Sequence, residues 1–273
     1  MKRNIAYIMA TGPSINKITD EEWKFLETQQ TLGISKFPIT GKKTTAFYSH
    51  EGFKWQKGPL DLMAMNGYLD TVLLLDNKES IRYALKLGFK KIYRTVKQSA
   101  LFLPSAKGWF MDEPEPPHRF SVCKAKNLNE PIFRFRGTLP AAINVVLILG
   151  ATEIRLVGVD LDTYWAFWDV DDRWLTNDVA REIRDEVREN QIQSMEQFKK
   201  MTGMDNNNFH KTAVPYTRKD GWVAGRMIRP VQDVVQWIDK EIRKEGMQGI
   251  FVTNKESLLN KEKKIEYKGI MDS

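Results

Sequence analysis

Three times in this chain a helix-forming stretch runs into a glycine, and an isoleucine follows four residues later: Gly88 and Ile92, Gly150 and Ile154, Gly246 and Ile250. Glycine readily takes the left-handed conformation that ends a helix. Each isoleucine belongs to a short strand-prone run: Lys-Ile-Tyr-Arg, Ile-Arg-Leu-Val and Ile-Phe-Val-Thr. Equal helix–Gly–strand joints are what right-handed parallel crossovers produce. In the central unit, residues 136–162, Thr138 is expected to cap the helix and Pro140 suits its first turn. Gly150 stops it, and Ile154 to Val159 is a run that a parallel sheet buries on both faces. The expected fold is α/β: a doubly wound, mostly parallel, Rossmann-like sheet. Ligands of such sheets bind beyond the carboxyl ends of the strands, which points to Asp160 and Asp162.

Of 273 residues, 42% are hydrophobic and 11% aromatic, ample for a packed core. The longest apolar run, around Ala141 to Leu149, is too short to cross a bilayer. The first ten residues have the basic start of a signal peptide, but too short an apolar core before Gly12-Pro13. The single cysteine, Cys123, excludes an internal disulfide and fits a reducing compartment, so a cytoplasmic location is expected. Net charge is +7 and the sequence pI is near 9.3. Clusters at Lys36 to Lys43, Lys86 to Lys97 and Lys255 to Lys268 favour a polyanion: nucleic acid, an anionic membrane face or a phosphorylated small molecule. Simple solubility explains such charge equally well, and no zinc-finger or RNA-recognition signature accompanies it.

Along the chain, strands are expected at Asn4 to Ala10, Thr31 to Ser35, Thr45 to Ser49, Leu69 to Leu75 and Lys90 to Thr95. Thr19 and Glu22 form a capping box for the first helix. Residues 103–131, with five prolines, read as a surface loop. Residues 163–230 interrupt two crossover units and are expected to form a lid-like insertion on the acceptor side. It contains the aromatic group Tyr164, Trp165, Phe167, Trp168 and Trp174, then a long charged helix from Asn177 or Asp178 to Met201. The aromatics suit either a stacking platform or packing of the insertion itself. Residues 1–162 with 231–260 would then be a nucleotide-binding domain, and 261–273 a frayed basic tail.

Candidate chemistry gathers at strand ends. In the turn Ala10-Thr11-Gly12-Pro13-Ser14, Gly12 permits close backbone approach, and Ser14 and nearby amides suit phosphate; a plain turn is the alternative. Walker and Gly-x-Gly-x-x-Gly fingerprints are absent. His50 follows the third strand, His118 lies in the proline-rich loop, and His210 lies in the insertion. A histidine is the natural base for an alcohol near neutral pH, although each of these equally suits a structural role. Asp160 and Asp162 could hold Mg²⁺ on phosphates, or Asp160 could accept backbone hydrogen bonds. Arg218, Lys219, Arg226 and Arg229 could neutralise a diphosphate. No His/Cys spacing supports zinc.

Four segments taken together resemble the bacterial sialyltransferases that cap lipooligosaccharide, and the related hydroxymethylpterin diphosphokinase-like proteins. They are Ala-Thr-Gly-Pro-Ser at 10–14, Thr-Ala-Phe-Tyr-Ser at 45–49, Arg-Gly-Thr at 136–138 and Leu-Gly-Ala-Thr-Glu-Ile-Arg-Leu-Val-Gly-Val-Asp at 149–160. The resemblance runs through most of the chain and is weakest in the insertion. It implies that Thr11, Gly12, Pro13, Ser14, Gly137 and Thr138 hold the nucleotide and phosphate of a sugar donor, with Asp160 at the end of the neighbouring strand. Ser35 and Ser49 stand where that family carries donor-binding asparagines. Tyr164 matches a tyrosine that steadies the departing phosphate without a metal. The family's catalytic histidine precedes the last helix; here that stretch is Gly225-Arg-Met-Ile-Arg-Pro, which leaves His210 for the role. The expected activity is a metal-independent glycosyltransferase with a nucleotide sugar as co-substrate and no further cofactor. Its acceptor would be a glycan, a lipid-linked sugar or a nucleic acid. The alternatives are a Mg²⁺-dependent diphosphokinase of the pterin type and a non-catalytic nucleotide- or nucleic-acid-binding protein.

Overall fold

The structure, a computed structural model, describes residues 4–97, 111, 119–134, 137–163, 165–202, 213, 216–217 and 227–272. Its centre is an eight-stranded sheet in which every neighbouring pair is parallel. The first strand, β1 (Ile5–Met9), lies inside it. On one side follow β2 (Gln30–Ile34), β3 (Ala46–Ser49), β4 (Val72–Leu75) and the edge strand β5 (Lys91–Arg94). Two short strands, β6 (Val96–Lys97) and β7 (Pro131–Ile132), pair outside the sheet. On the other side of β1 lie β8 (Glu153–Val157), β11 (Gly249–Val252) and the edge strand β12 (Glu266–Tyr267). β9 (Tyr216–Thr217) and β10 (Met227–Ile228) form a separate antiparallel pair.

The three glycine joints are the same structure. Gly88, Gly150 and Gly246 have φ of 91°, 90° and 84°. In each, the following residue's amide reaches back six positions, counted inclusively: Phe89 to Ala84 at 3.1 Å, Ala151 to Val146 at 3.0 Å, Met247 to Ile242 at 3.2 Å. This is the Schellman closure, which satisfies carbonyls that the helix end would leave bare. The helices so ended are α3 (Lys78–Lys86), α5 (Thr138–Ile148) and α8 (Val231–Lys244).

Alternation along the strands serves two helical layers. Ala6, Ile8, Ile154 and Leu156 belong to the core beneath α5 and α8, with α4 (Phe120–Cys123) beside them. Tyr7, Met9 and Val157 face the other way, with α1 (Asp20–Glu27) and α6 (Phe167–Val170). Phe47, Leu73 and Leu75 on that face meet α2 (Phe53–Met65) and α3. The doubly wound parallel α/β architecture expected from the sequence is therefore the one observed.

Two expectations change. The insertion begins as part of the body: Phe167, Trp168, Trp174 and Ile183 are buried with Trp23 and Phe37, so these aromatics are packing. The long helix α7 (Asp178–Thr202) is capped by Asn177, whose side chain accepts from Ala180 at 2.9 Å. It lies on α2, where Gly58 leaves room for Ile183: a Cβ there would come within 2.6 Å of Ile183 Cγ1. The second change is the tail. Instead of fraying, the chain forms α9 (Leu258–Lys261) and then β12, and buries Ile265 and Ile270.

Candidate functional site

The strand order fixes where a site would form. From β1 the chain proceeds outward through β2 to β5, then returns to β8 on the opposite flank. The carboxyl ends of β1 and β8 flank the switch point at which α/β sheets bind ligands. Parallel strands bring the turn 11–14 after β1, Ser35 after β2, Ser49 and His50 at the end of β3, Asp160 after β8 and Asn254 after β11 to one edge of the sheet. Helix α5 lies across β1 and β2 and runs into β8, so Gly137 and Thr138 open at the same edge.

Immediately above β1 and β8 the space is filled by hydrogen bonds. The Gly12 amide donates to the Gly158 carbonyl at 2.7 Å. The Ser14 amide donates to Asp160 Oδ2 at 2.7 Å, and Asn254 Nδ2 to Asp160 Oδ1 at 2.8 Å. Asp160 is buried, and its own carbonyl accepts from Leu258 at 2.8 Å. Asp160 thus ties the loops after β1, β8 and β11 together. Gly12 is required for this: a Cβ would sit 2.4 Å from Asp160 Oδ2. The amides of Gly12 and Ser14, expected to hold phosphate, are occupied within the protein. The close approach that Gly12 permits is that of Asp160. A Mg²⁺ ion on Asp160 would compete with these donors for the carboxylate oxygens. Among the described residues no group of three or more His, Cys, Asp or Glu is arranged to hold a metal.

Other groups lie along the same edge. Pro13 starts a 3-10 turn, 13–17, that buries Ile15 and leaves Ser14 half-buried; the Ser14 hydroxyl has no hydrogen-bond partner among the described residues. The Thr11 carbonyl accepts from the Phe167 amide at 3.0 Å. Thr138 does not cap α5: it is the first helical residue, and the N-cap is Gly137 at φ 115°, ψ −162°, which carries no side-chain cap. That backbone region is open essentially to glycine alone. It leaves the first-turn amides without the usual oxygen acceptor, at the end of the helix where the dipole favours an anion. Ser35 and Leu161 hold left-handed backbone at φ 56° and 63° at the ends of β2 and β8. Such strain in residues with side chains concentrates at functional edges. Ser49 is buried, and its hydroxyl accepts from Glu51 at 3.4 Å. His50 is buried with its ring 5.8 Å from that of Tyr48. Burial raises the Tyr48 phenol well above its ordinary range, and Asp76 adds to this while Arg134 opposes it. Burial, and then the neighbouring Asp160, raise the Asp162 carboxyl; Lys261, 3.5 Å away, pulls it down.

Tyr164 and His210, the expected catalytic pair, lie outside the described residues, as do His118, Arg218, Lys219 and Arg226. Arg229 is engaged with Asp233 at 3.1 Å and with the Met111 carbonyl at 3.2 Å. Asp169 accepts from the Ala166 amide at 2.9 Å and from Arg188 at 2.7 Å. Sequence reasoning missed Asn254; its only signal is a polar residue after the last long strand, Ile-Phe-Val-Thr-Asn. Comparison with known proteins returns no matching family model, no matching curated protein and no matching solved structure.

Proposed function

We propose that the chain is a transferase acting on a nucleotide-activated sugar. Its donor phosphate would sit at the uncapped start of α5, beside the β1 turn. One observation carries this: the reversal of strand order between β1 and β8 brings the start of α5, Gly137-Thr138, which has no side-chain cap, to the same edge of the sheet as Thr11 and Ser14. The Ser35 and Ser49 ends of the adjoining strands extend the same edge toward the base and sugar. Asp160 organises the loops from behind. Because both of its carboxylate oxygens accept N–H donors, a metal-independent transfer fits this donor set better than a Mg²⁺ diphosphokinase. In the proposed reaction a histidine takes the acceptor hydroxyl proton as the sugar–phosphate bond breaks, and His210 is assigned that role from the sequence resemblance.

The test is thermal unfolding against cytidine, uridine, guanosine and adenosine mono- and diphosphates, in EDTA and in Mg²⁺. A ligand at about 100 times its dissociation constant adds roughly 2.7 kcal/mol of stability. Stabilisation that survives EDTA supports the transferase, and the responsive base names the donor. Stabilisation by adenosine nucleotides only with Mg²⁺ supports the diphosphokinase instead. With a donor in hand, His210→Ala should lower turnover on the order of a hundredfold; an unchanged rate removes His210 from the mechanism.

A further inference from the structure

The three basic clusters of the sequence have different fates in the fold. In the first, Lys36 is buried against Glu51 at 3.0 Å, and Lys43 pairs with Asp70 at 2.8 Å. In the last, Lys261 reaches Asp162 at 3.5 Å, Lys264 reaches Asp233 at 2.9 Å and Lys268 reaches Glu153 at 3.5 Å. The middle one, Lys86 to Lys97, is extended upstream by Lys78 and Arg82 of α3. Residues 78–94 contain six Lys or Arg and one Glu, a net of +5, while the whole chain carries +7. Among the described residues none of these six cations forms an ion pair.

They also border one edge of the sheet. Lys78, Arg82 and Lys86 recur every four residues and share one exposed stripe of α3. The Gly88 joint turns the chain directly into the edge strand β5, which adds exposed Lys90, Lys91 and Arg94. Helix α3 packs on β4 and β5 through Ser80 and Ala84, so its stripe faces away from the sheet; Arg94 shares that side of the sheet, Lys91 points to the other, and the cations surround one edge. Leu85, 60% exposed, stands among the helix cations, and Tyr93, 51% exposed, projects beside Lys91 from the other side of the same edge. Like charges held this close repel one another unless an extended anionic surface opposes them. A phosphate backbone would answer the charge but gives no partner to an exposed leucine. The headgroup plane of an anionic bilayer answers both: lysines and arginines meet its charge, leucine enters the acyl boundary, and tyrosine suits the interface.

We propose that the α3–β5 edge docks this protein peripherally on an anionic membrane surface. This edge is four strands removed from β1, and the inference does not rest on the proposed reaction.

Co-sedimentation with vesicles tests it, comparing phosphatidylcholine alone with phosphatidylcholine mixed with phosphatidylglycerol. The wild-type chain should bind the mixed vesicles, release as salt rises and ignore the neutral ones. Each cation near such a surface is worth roughly fivefold in partitioning, so Lys86→Glu/Lys91→Glu/Arg94→Glu should bind on the order of a hundredfold less or worse. Leu85→Ser should weaken binding severalfold with no change in charge. Lys255→Glu/Lys263→Glu, in the last cluster, should lose much less. Circular dichroism establishes that each variant is folded. Should the triple variant unfold, Leu85→Ser and the salt titration of the wild type still decide. Absence of vesicle binding by the wild type overturns the proposal. So does equal loss from either cluster, or salt-sensitive binding to duplex DNA that the same three substitutions abolish while vesicles are ignored.

Discussion

The two outer edges of the sheet are both rich in lysine and arginine, and they are built on opposite principles. At the β12 edge the cations belong to the fold. Lys264 and Lys268 pair with acids of α8 and β8. Beneath them Arg155 is fully buried, 2.8 Å from Glu153, and gathers the carbonyls of Gly269 at 2.7 Å, Ile270 at 2.8 Å and Asp272. Tyr7 adds a hydrogen bond of 2.9 Å to the Ile270 carbonyl. One guanidinium therefore does for the chain end what a sheet neighbour would do, holding backbone oxygens that water would otherwise claim. At the β5 edge the cations form no ion pair among the described residues. The difference teaches that a pI near 9.3 says little about partners. Pairing separates the cations that hold the fold from those that face outward.

The sharpest way to break this contrast is Arg155→Ala. It takes the nearer cation from buried Glu153, leaving Lys268 at 3.5 Å, and frees the tail; removing one member of a buried pair costs about 3–5 kcal/mol. The melting temperature should fall by roughly 2–4 °C per kcal/mol for a domain near this size. Amide exchange should accelerate first in β12 and 269–272. A melting temperature within a degree of wild type would mean that the tail does not depend on Arg155. Between the edges, Asp160→Ala removes the acceptor of the half-buried Ser14 and Asn254, and each lost hydrogen bond to a charged group costs about 1.5–3 kcal/mol. Gly12→Ala should cost a similar amount by pushing Asp160 aside. In a double-mutant cycle the Gly12→Ala penalty should shrink once Asp160 is alanine; full additivity would show that the two do not meet. The β5 triple charge reversal, by contrast, should leave stability within about 0.5 kcal/mol. A large loss in urea unfolding would mean those cations do have partners in the fold.

The smallest effect is a pH dependence. The Asp162 carboxyl is raised on folding, so the folded state holds its proton more tightly than the unfolded chain does. Its contribution to stability is present in acid and is lost as pH rises through the folded-state value. Subtracting the stability profile of Asp162→Asn from that of wild type should give a difference that declines with rising pH across the carboxylate range. A difference that rises instead would show that Lys261 dominates over burial and Asp160.

The crossovers were legible in the sequence because a helix end leaves a local signature, a glycine at a fixed distance from an apolar run. Helix α2 was not, because Gly58-Pro59 lies in its middle and reads as a break. Proline deprives the Trp55 carbonyl of its helical donor, and the Lys36 ammonium, from the end of β2, donates to it instead. No local pattern could announce a repair made from 19 residues away. The strand after Asn260 was hidden for a related reason. Its two ladder residues, Glu266 and Tyr267, are too few to alternate, and what anchors the segment is Arg155, over a hundred residues earlier. At the candidate site the special glycine could be read but its partner could not. Gly12 does permit a close approach, but of Asp160, and that pairing depends on sheet order. Gly137, rather than Thr138, is the N-cap of α5 because a backbone at φ 115° needs glycine.

The central claim is that an anionic nucleotide group binds at the start of α5, where β1 and β8 part. The most direct measurement is thermal unfolding of the wild type and of Gly137→Ala in EDTA, with and without the nucleotide that stabilises the wild type best. Alanine resists the Gly137 backbone and should turn the first-turn amides away, so we expect stabilisation of roughly 2.7 kcal/mol at ~100-fold saturation in the wild type and its loss in the variant. If no nucleotide stabilises the wild type, or if a folded Gly137→Ala retains the full shift, the anion does not bind there.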